Sequence, residues 1–118
     1  MFKLLLAEDD DLVRPGIVRR LSKLCEVTAV ENGAEALKKA QAEHFDLIVS
    51  DVDMPVMNGI AFFKALKKSR PNVNRAFIFL TGRPEAVADL GALVLNKPEM
   101  AALIEAVREA IRGGVGTA

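Results

Sequence analysis

Leu4-Leu5-Leu6-Ala7-Glu8-Asp9-Asp10-Asp11 sets four apolar residues directly against four acids. The apolar half is continuous rather than alternating, which fits a strand covered on both faces. Four more runs share its character: Val27–Val30, Leu47–Ser50, Ala76–Leu80 and Ala92–Leu95. Each is short, rich in Val, Ile, Leu or Phe, and bounded by polar or turn residues. These five runs are the predicted strands.

Between them the apolar period changes to that of a helix. The first helical pattern carries Leu12, Ile17, Leu21 and Leu24, with Asp10 or Asp11 as its N-cap, and Pro15 blurs its starting turn. Gly33–Glu43 places Ala36, Leu37 and Ala40 on one side, and Gly59–Lys68 places Ile60, Phe63 and Leu66 at helical spacing. Glu99–Arg112 shows the clearest stripe, with Leu103, Ile104, Val107 and Ile111, and stops at Gly113-Gly114. Five strands and about five helices in strict alternation predict an α/β fold, a doubly wound parallel sheet. Residues 1–113 read as one domain and 114–118 as a flexible tail, with no repeat, linker or second domain between them.

Composition narrows the function classes. The chain has 118 residues and is 51% hydrophobic, enough for a real core. Sixteen basic and sixteen acidic residues cancel, so charge offers no reason to bind nucleic acid or an anionic membrane. Cys25 is the single cysteine, which rules out an internal disulfide. The N-terminal apolar run turns acidic too soon for a signal peptide, and no run is long enough to span a bilayer. A cytoplasmic location is the expectation.

In doubly wound sheets ligands sit beyond the carboxyl ends of the strands. The chemistry-bearing residues fall there: Glu8 to Asp11 after the first run, Asp51 after the third, Thr81 after the fourth and Lys97 after the fifth. Taken singly, each has a plain structural reading as helix cap, turn residue or solvated charge. Taken together they do not. Carboxylates from different strands meeting at one edge repel unless protonated or bridged by a cation. An all-oxygen set suits Mg²⁺, with Mn²⁺ as a substitute, and a hydroxyl and an ammonium opposite it complete a cradle for a phosphoryl group. An aspartate in such a cradle can itself be the nucleophile.

Five strings in order make the resemblance specific: Leu-Leu-Leu-Ala-Glu-Asp-Asp at 4–10, Phe-Asp-Leu-Ile-Val-Ser-Asp at 45–51, Asp-Met-Pro-Val-Met-Asn-Gly at 53–59, Phe-Leu-Thr-Gly at 79–82 and Asn-Lys-Pro at 96–98. Over essentially its whole length the chain resembles the receiver domain of two-component response regulators. That resemblance implies a flavodoxin-like sheet of order 2-1-3-4-5. It implies that Asp51 accepts a phosphoryl group from a histidine kinase or phosphotransfer protein and signals to a downstream protein target. It also implies that Asp9 is the principal Mg²⁺ carboxylate, with Glu8 a second or water-mediated ligand, Asp51 in the same shell and Asp53 contributing its backbone carbonyl. Thr81 and Lys97 then bind the phosphoryl oxygens. The domain is expected to be a phosphoacceptor and not a turnover enzyme, whether it stands alone or belongs to a longer regulator or hybrid kinase.

Three features depart from the family pattern. Val94 stands where an aromatic residue usually reports phosphorylation. Sixteen positions separate Thr81 from Lys97, which leaves Pro84–Leu90 room for only about two helical turns, so the fourth helix should be shortened. Asp53 and Arg83 lie two residues beyond the acceptor and beyond Thr81, positions that in the family tune phosphoryl lifetime. Other residues have plain readings: His44 as a surface residue, Met54, Met57 and Phe62-Phe63 as turn and core. Two rivals follow from the same residues. Asp51-Val52-Asp53 fits an aspartate-nucleophile phosphohydrolase, though that leaves Glu8-Asp9 unexplained. A module that keeps the fold and has lost the switch accounts for Val94. A flavin protein fits less well, because the acids after the first run would repel its phosphate.

Overall fold

The computed structural model describes residues 1–97 and 100–113. Strands β1 (Lys3–Ala7), β2 (Glu26–Val30), β3 (Leu47–Ser50), β4 (Phe77–Thr81) and β5 (Leu93–Asn96) form one parallel sheet in the order β2-β1-β3-β4-β5. Helices α1 (Val13–Leu21), α2 (Gly33–Ala42), α3 (Gly59–Ser69) and α4 (Met100–Ile111) cover its two faces. Side-chain alternation along β1 divides the core. Leu5 and Ala7 pack with Ala36, Ala40, Phe62, Phe63 and Leu66 from α2 and α3. Leu4 and Leu6 pack with Ile17, Leu21, Leu103 and Val107 from α1 and α4. Both faces of the strand are therefore apolar, and that is why its sequence is continuous. The architecture agrees with the sequence-based expectation.

The differences lie at boundaries and in one helix. Leu12 was expected on the α1 stripe but is 90% exposed. Asp10 is the reason: its Oδ1 accepts the N–H groups of Leu12 and Val13 at 2.8 and 3.2 Å, which holds Leu12 in the turn ahead of the helix. Pro15 then falls in the first turn, where its missing N–H costs nothing. β4 starts one residue later than expected because Ala76 closes a 3₁₀ turn over Val73–Ala76. β5 is likewise displaced by one residue.

The shortened fourth helix is absent as an α-helix. A single 3₁₀ turn, Pro84–Ala86, stands in its place, so the described residues hold four α-helices rather than five. Pro84 supplies no N–H, the chain turns again at Leu90 N–H to Val87 O (3.2 Å), and Gly91 at φ +82° redirects it into β5. Buried Val87 plugs the core where a helix would otherwise lie. Glu99, the expected start of the last helix, and the tail at 114–118 lie outside the described residues. Gly113 does end α4, in the left-handed conformation at φ +89°.

Strand register delivers the site. Ala7 pairs with Ser50 and Thr81 with Asn96, so Glu8, Asp51 and Lys97 each stand one residue past a paired end. Asp51 N–H donates to Ala7 O at 2.9 Å and Lys97 N–H to Thr81 O at 3.0 Å, which extends the ladder through them.

Candidate functional site

Two strand ends, those of β1 and β3, bring three carboxylates together. Glu8, Asp9 and Asp51 each offer an oxygen within 4.8 Å of the others, and no other such acidic group occurs among the described residues. Glu8 is 1% exposed and Asp51 8%, although an isolated buried carboxylate is costly. Lys97 offsets that cost in part: its Nζ lies 2.5 Å from Glu8 Oε1 and 2.9 Å from Asp51 Oδ2. The other oxygens are also engaged. Asp51 Oδ1 accepts the Val52 N–H at 2.7 Å, and Glu8 Oε2 accepts the Asp10 N–H at 3.1 Å.

The acids and the ammonium perturb one another. Burial pushes the Glu8 carboxyl above its usual range, and the charge of Asp51 adds to the push, against the hydrogen bonds from Lys97 and Asp10 N–H. Burial pulls Lys97 down, but its bonds to Glu8 and Asp51 outweigh it, and the ammonium titrates above its ordinary value. A raised Glu8 means that the folded chain holds a proton the unfolded chain has released, so this group weakens the fold as pH rises through its folded value. Lys97 strengthens the fold at neutral pH and below, and that contribution is lost only as pH climbs through its raised value. Acid and base thus depend on each other.

Thr81 is fully buried at the tip of β4, with Oγ1 accepting the Arg83 N–H at 2.9 Å. Asp53 does not join the acidic cluster through its side chain. Its carboxylate takes a two-point bond from Arg83, at 2.6 and 3.0 Å, and sits below its usual pKa because of that bond. Any part Asp53 has in holding a cation must therefore run through its main chain. Val94 pairs with Phe79 and packs against the α2–α3 side of the core. His44 is exposed and paired with Asp46, as its plain reading had it.

The segment between Asp51 and α3 carries geometry that residue types did not announce. Val56 has φ +68°, and the Met57 N–H bonds to Pro55 O at 2.7 Å, a γ-turn rarely seen with a β-branched residue at its centre. Asn58 then caps α3, its Oδ1 accepting the Ala61 N–H at 2.8 Å. Asn32 caps α2 in the same way through Glu35 N–H at 2.9 Å.

Residues 4–108 match the response regulator receiver domain family. The chain belongs to it. Among curated relatives, this receiver is 36% identical over 105 residues to the response regulator receiver protein CpdR of Brucella abortus, covering 83% of this chain and 86% of that one. Several longer relatives are matched over only 34% to 37% of their length. Among solved structures, the receiver domain of the Francisella response regulator 1452 superposes with a TM-score of 0.85 at 27% identity, covering 97% of this chain and 99% of that chain. The Thermotoga maritima response regulator TrrA, solved in complex with Mg²⁺-BeF, gives 0.80 at 26%, covering 93% and 99%. The chain is a two-component receiver, a signalling domain. Neither the phosphohydrolase nor the switchless binding module is favoured by these matches. No described helix of this receiver is long and apolar enough to cross a membrane.

The receiver's acidic centre carries a testable stability cost. One ammonium faces three carboxylates, so neutralising the most open of them relieves repulsion. Asp9→Asn is expected to stabilise the metal-free domain by about 1 kcal/mol in urea unfolding with a chelator present. The same substitution should remove the added stability that millimolar Mg²⁺ gives the wild type.

Proposed function

We propose that Asp51 accepts a phosphoryl group from a phosphohistidine on a histidine kinase or phosphotransfer protein, in a Mg²⁺-dependent reaction. One observation carries this reading above the others: the Asp51 carboxylate bonds to the Lys97 ammonium on one oxygen and lies within 4.8 Å of carboxylate oxygens of Glu8 and Asp9. The donor set fits the metal. It is all oxygen and rich in negative charge, as a hard divalent cation requires. Glu8, Asp9 and Asp51 would hold Mg²⁺ with their carboxylates and Asp53 with its main-chain carbonyl. Bound there, Mg²⁺ would neutralise charge on the phosphoryl oxygens and on the attacking carboxylate.

The chain's own groups supply the rest. Val52 N–H fixes one oxygen of Asp51 and Lys97 the other, so the carboxylate is oriented before any partner arrives. The new bond joins an Asp51 oxygen to phosphorus, and the phosphorus–nitrogen bond of the donor breaks. Its electron pair stays on the leaving imidazole. Lys97 and the Thr81 hydroxyl lie at adjacent strand tips to receive the phosphoryl oxygens, so the work is positioning and electrostatics.

In this reading the domain, residues 1–113, is a stoichiometric acceptor in the cytoplasm and not a turnover enzyme. Its output passes to a protein target without an aromatic at position 94. Intact-protein mass after incubation with acetyl phosphate and Mg²⁺ tests it: one phosphoryl equivalent is expected, lost on chelation of the metal before the reaction. Repeated turnover of acetyl phosphate would instead indicate a phosphatase.

The Asp53–Arg83 bridge crosses from the segment after β3 to the segment after β4, and both side chains are more than half exposed. We assign it to phosphoryl lifetime rather than to stability, since such surface pairs contribute little to folding. Asp53→Asn combined with Arg83→Gln should change the decay rate of the acyl phosphate several-fold while leaving the melting temperature nearly unchanged. An unaltered decay rate removes the assignment.

A further inference from the structure

The peptide between Glu8 and Asp9 carries a cluster carboxylate on each side, so the direction of this one plane governs where both side chains point. Its carbonyl is held. Arg14 Nη1 donates to the Glu8 main-chain oxygen at 2.9 Å, and Nη2 donates to Asp11 Oδ1 at 2.6 Å. The same Nη2 lies 3.6 Å from Glu31 Oε1, in the turn that follows β2. Glu8 N–H is itself bonded to Val30 O at 3.1 Å. One guanidinium thus ties the start of the acidic loop to its far end and draws the neighbouring turn toward both.

This is not the geometry of a solvated surface pair. The Arg14 side chain is 18% exposed, whereas that of its partner Asp11 is 78% exposed. A pair formed for charge alone would leave both ends in water and would not spend a donor on a main-chain carbonyl. A planar fork is also what the contacts need, because two donors must reach a carbonyl and a carboxylate at once.

We propose that Arg14 is a positioning residue of the cation site: it sets the Glu8–Asp9 peptide so that both carboxylates face Asp51. The proposal rests on the reading of Glu8, Asp9 and Asp51 as ligands. Arg14 touches none of their carboxylates on Glu8, Asp9 or Asp51, so it acts through the backbone. Its charge and its hydrogen bond have opposite effects. A nearby positive charge opposes a divalent cation, while a fixed peptide favours one by holding its ligands ready.

Titration of Mn²⁺ into the intact chain by calorimetry separates the two. Arg14→Lys keeps the charge and loses the fork; it is expected to bind Mn²⁺ about tenfold more weakly, the loss typical of groups that orient metal ligands. Arg14→Met also drops the charge and should bind no more tightly than wild type. Both should melt within a few degrees of wild type without metal, which separates a positioning effect from loss of the fold. Wild-type affinity in Arg14→Lys, or tighter binding in Arg14→Met, would overturn the role. A wild-type chain that shows no Mn²⁺ binding abolished by Asp9→Asn overturns the cation site and the Arg14 assignment together.

Discussion

Asp51→Asn is expected to show no phosphoryl mass gain under conditions that label the wild-type chain with one equivalent. The amide has the shape of the carboxylate and can still accept the Val52 N–H, now 2.7 Å from Asp51 Oδ1. Its oxygen, however, carries no charge and is a poor nucleophile toward phosphorus. Lys97 keeps its partner in Glu8 at 2.5 Å, so the ammonium is not stranded and the fold should survive. Removing one of three crowded negative charges should even stabilise the metal-free domain slightly. The pattern sought is complete loss of labelling in a protein that melts at or above the wild-type temperature. Labelling that persists, with fragment masses placing it on another residue, would refute Asp51 as the acceptor.

That the cluster around Asp51 could be read from sequence at all follows from how a doubly wound sheet is built. Continuous apolar runs mark strands covered on both faces, and their carboxyl ends share one edge. Five such runs therefore bring Glu8, Asp51, Thr81 and Lys97 to one edge on sequence grounds alone. What was not legible depends on close approach between segments distant in sequence. Asp11 and Arg14 form an i, i+3 pair, and nothing local says that the other guanidinium nitrogen reaches the Glu8 carbonyl. Glu8 read as a metal ligand, but residue types alone do not show that Lys97 already occupies one of its oxygens. Leu12 fitted a helical stripe because periodicity ignores the Asp10 side chain, which competes for the helix's first N–H groups. The missing fourth helix was half visible: the short spacing announced it, while the collapse to a single 3₁₀ turn needed Val87 to be buried.

Gly59 is the strongest case of a residue whose role appears only in three dimensions, and it carries the second large effect. It sits at the first position of α3 in an ordinary helical setting, so backbone freedom does not explain it. Space does. A Cβ built there lies 2.0 Å from the Asp51 carbonyl oxygen and 3.1 Å from Ser50 Oγ, the hydroxyl that donates to that same carbonyl at 2.8 Å. Gly59→Ala must therefore separate α3 from the β3 end by about 1 Å before contact becomes tolerable. Neither side yields easily. The helix is pinned by Gly59 N–H to Val52 O at 2.8 Å and by the Asn58 cap, and it carries Phe62, Phe63 and Leu66 into the core. Phe63 meets Phe77 edge-on at 4.9 Å between ring centres, a contact that a helix shift opens. The expected cost is about 3 kcal/mol in chemical unfolding, the upper end for overpacking a well-filled site. Because the clash falls on the backbone of Asp51 itself, the protein that remains folded should be labelled by acetyl phosphate roughly a hundredfold more slowly, the scale of loss that a 1 Å misplacement brings. Gly16→Ala is the control. A Cβ there meets nothing within 4 Å, so in the same assay it should stabilise α1 by about 0.5–1 kcal/mol and leave labelling intact. If Gly59→Ala folds and labels like wild type, α3 is not what holds the acceptor in place.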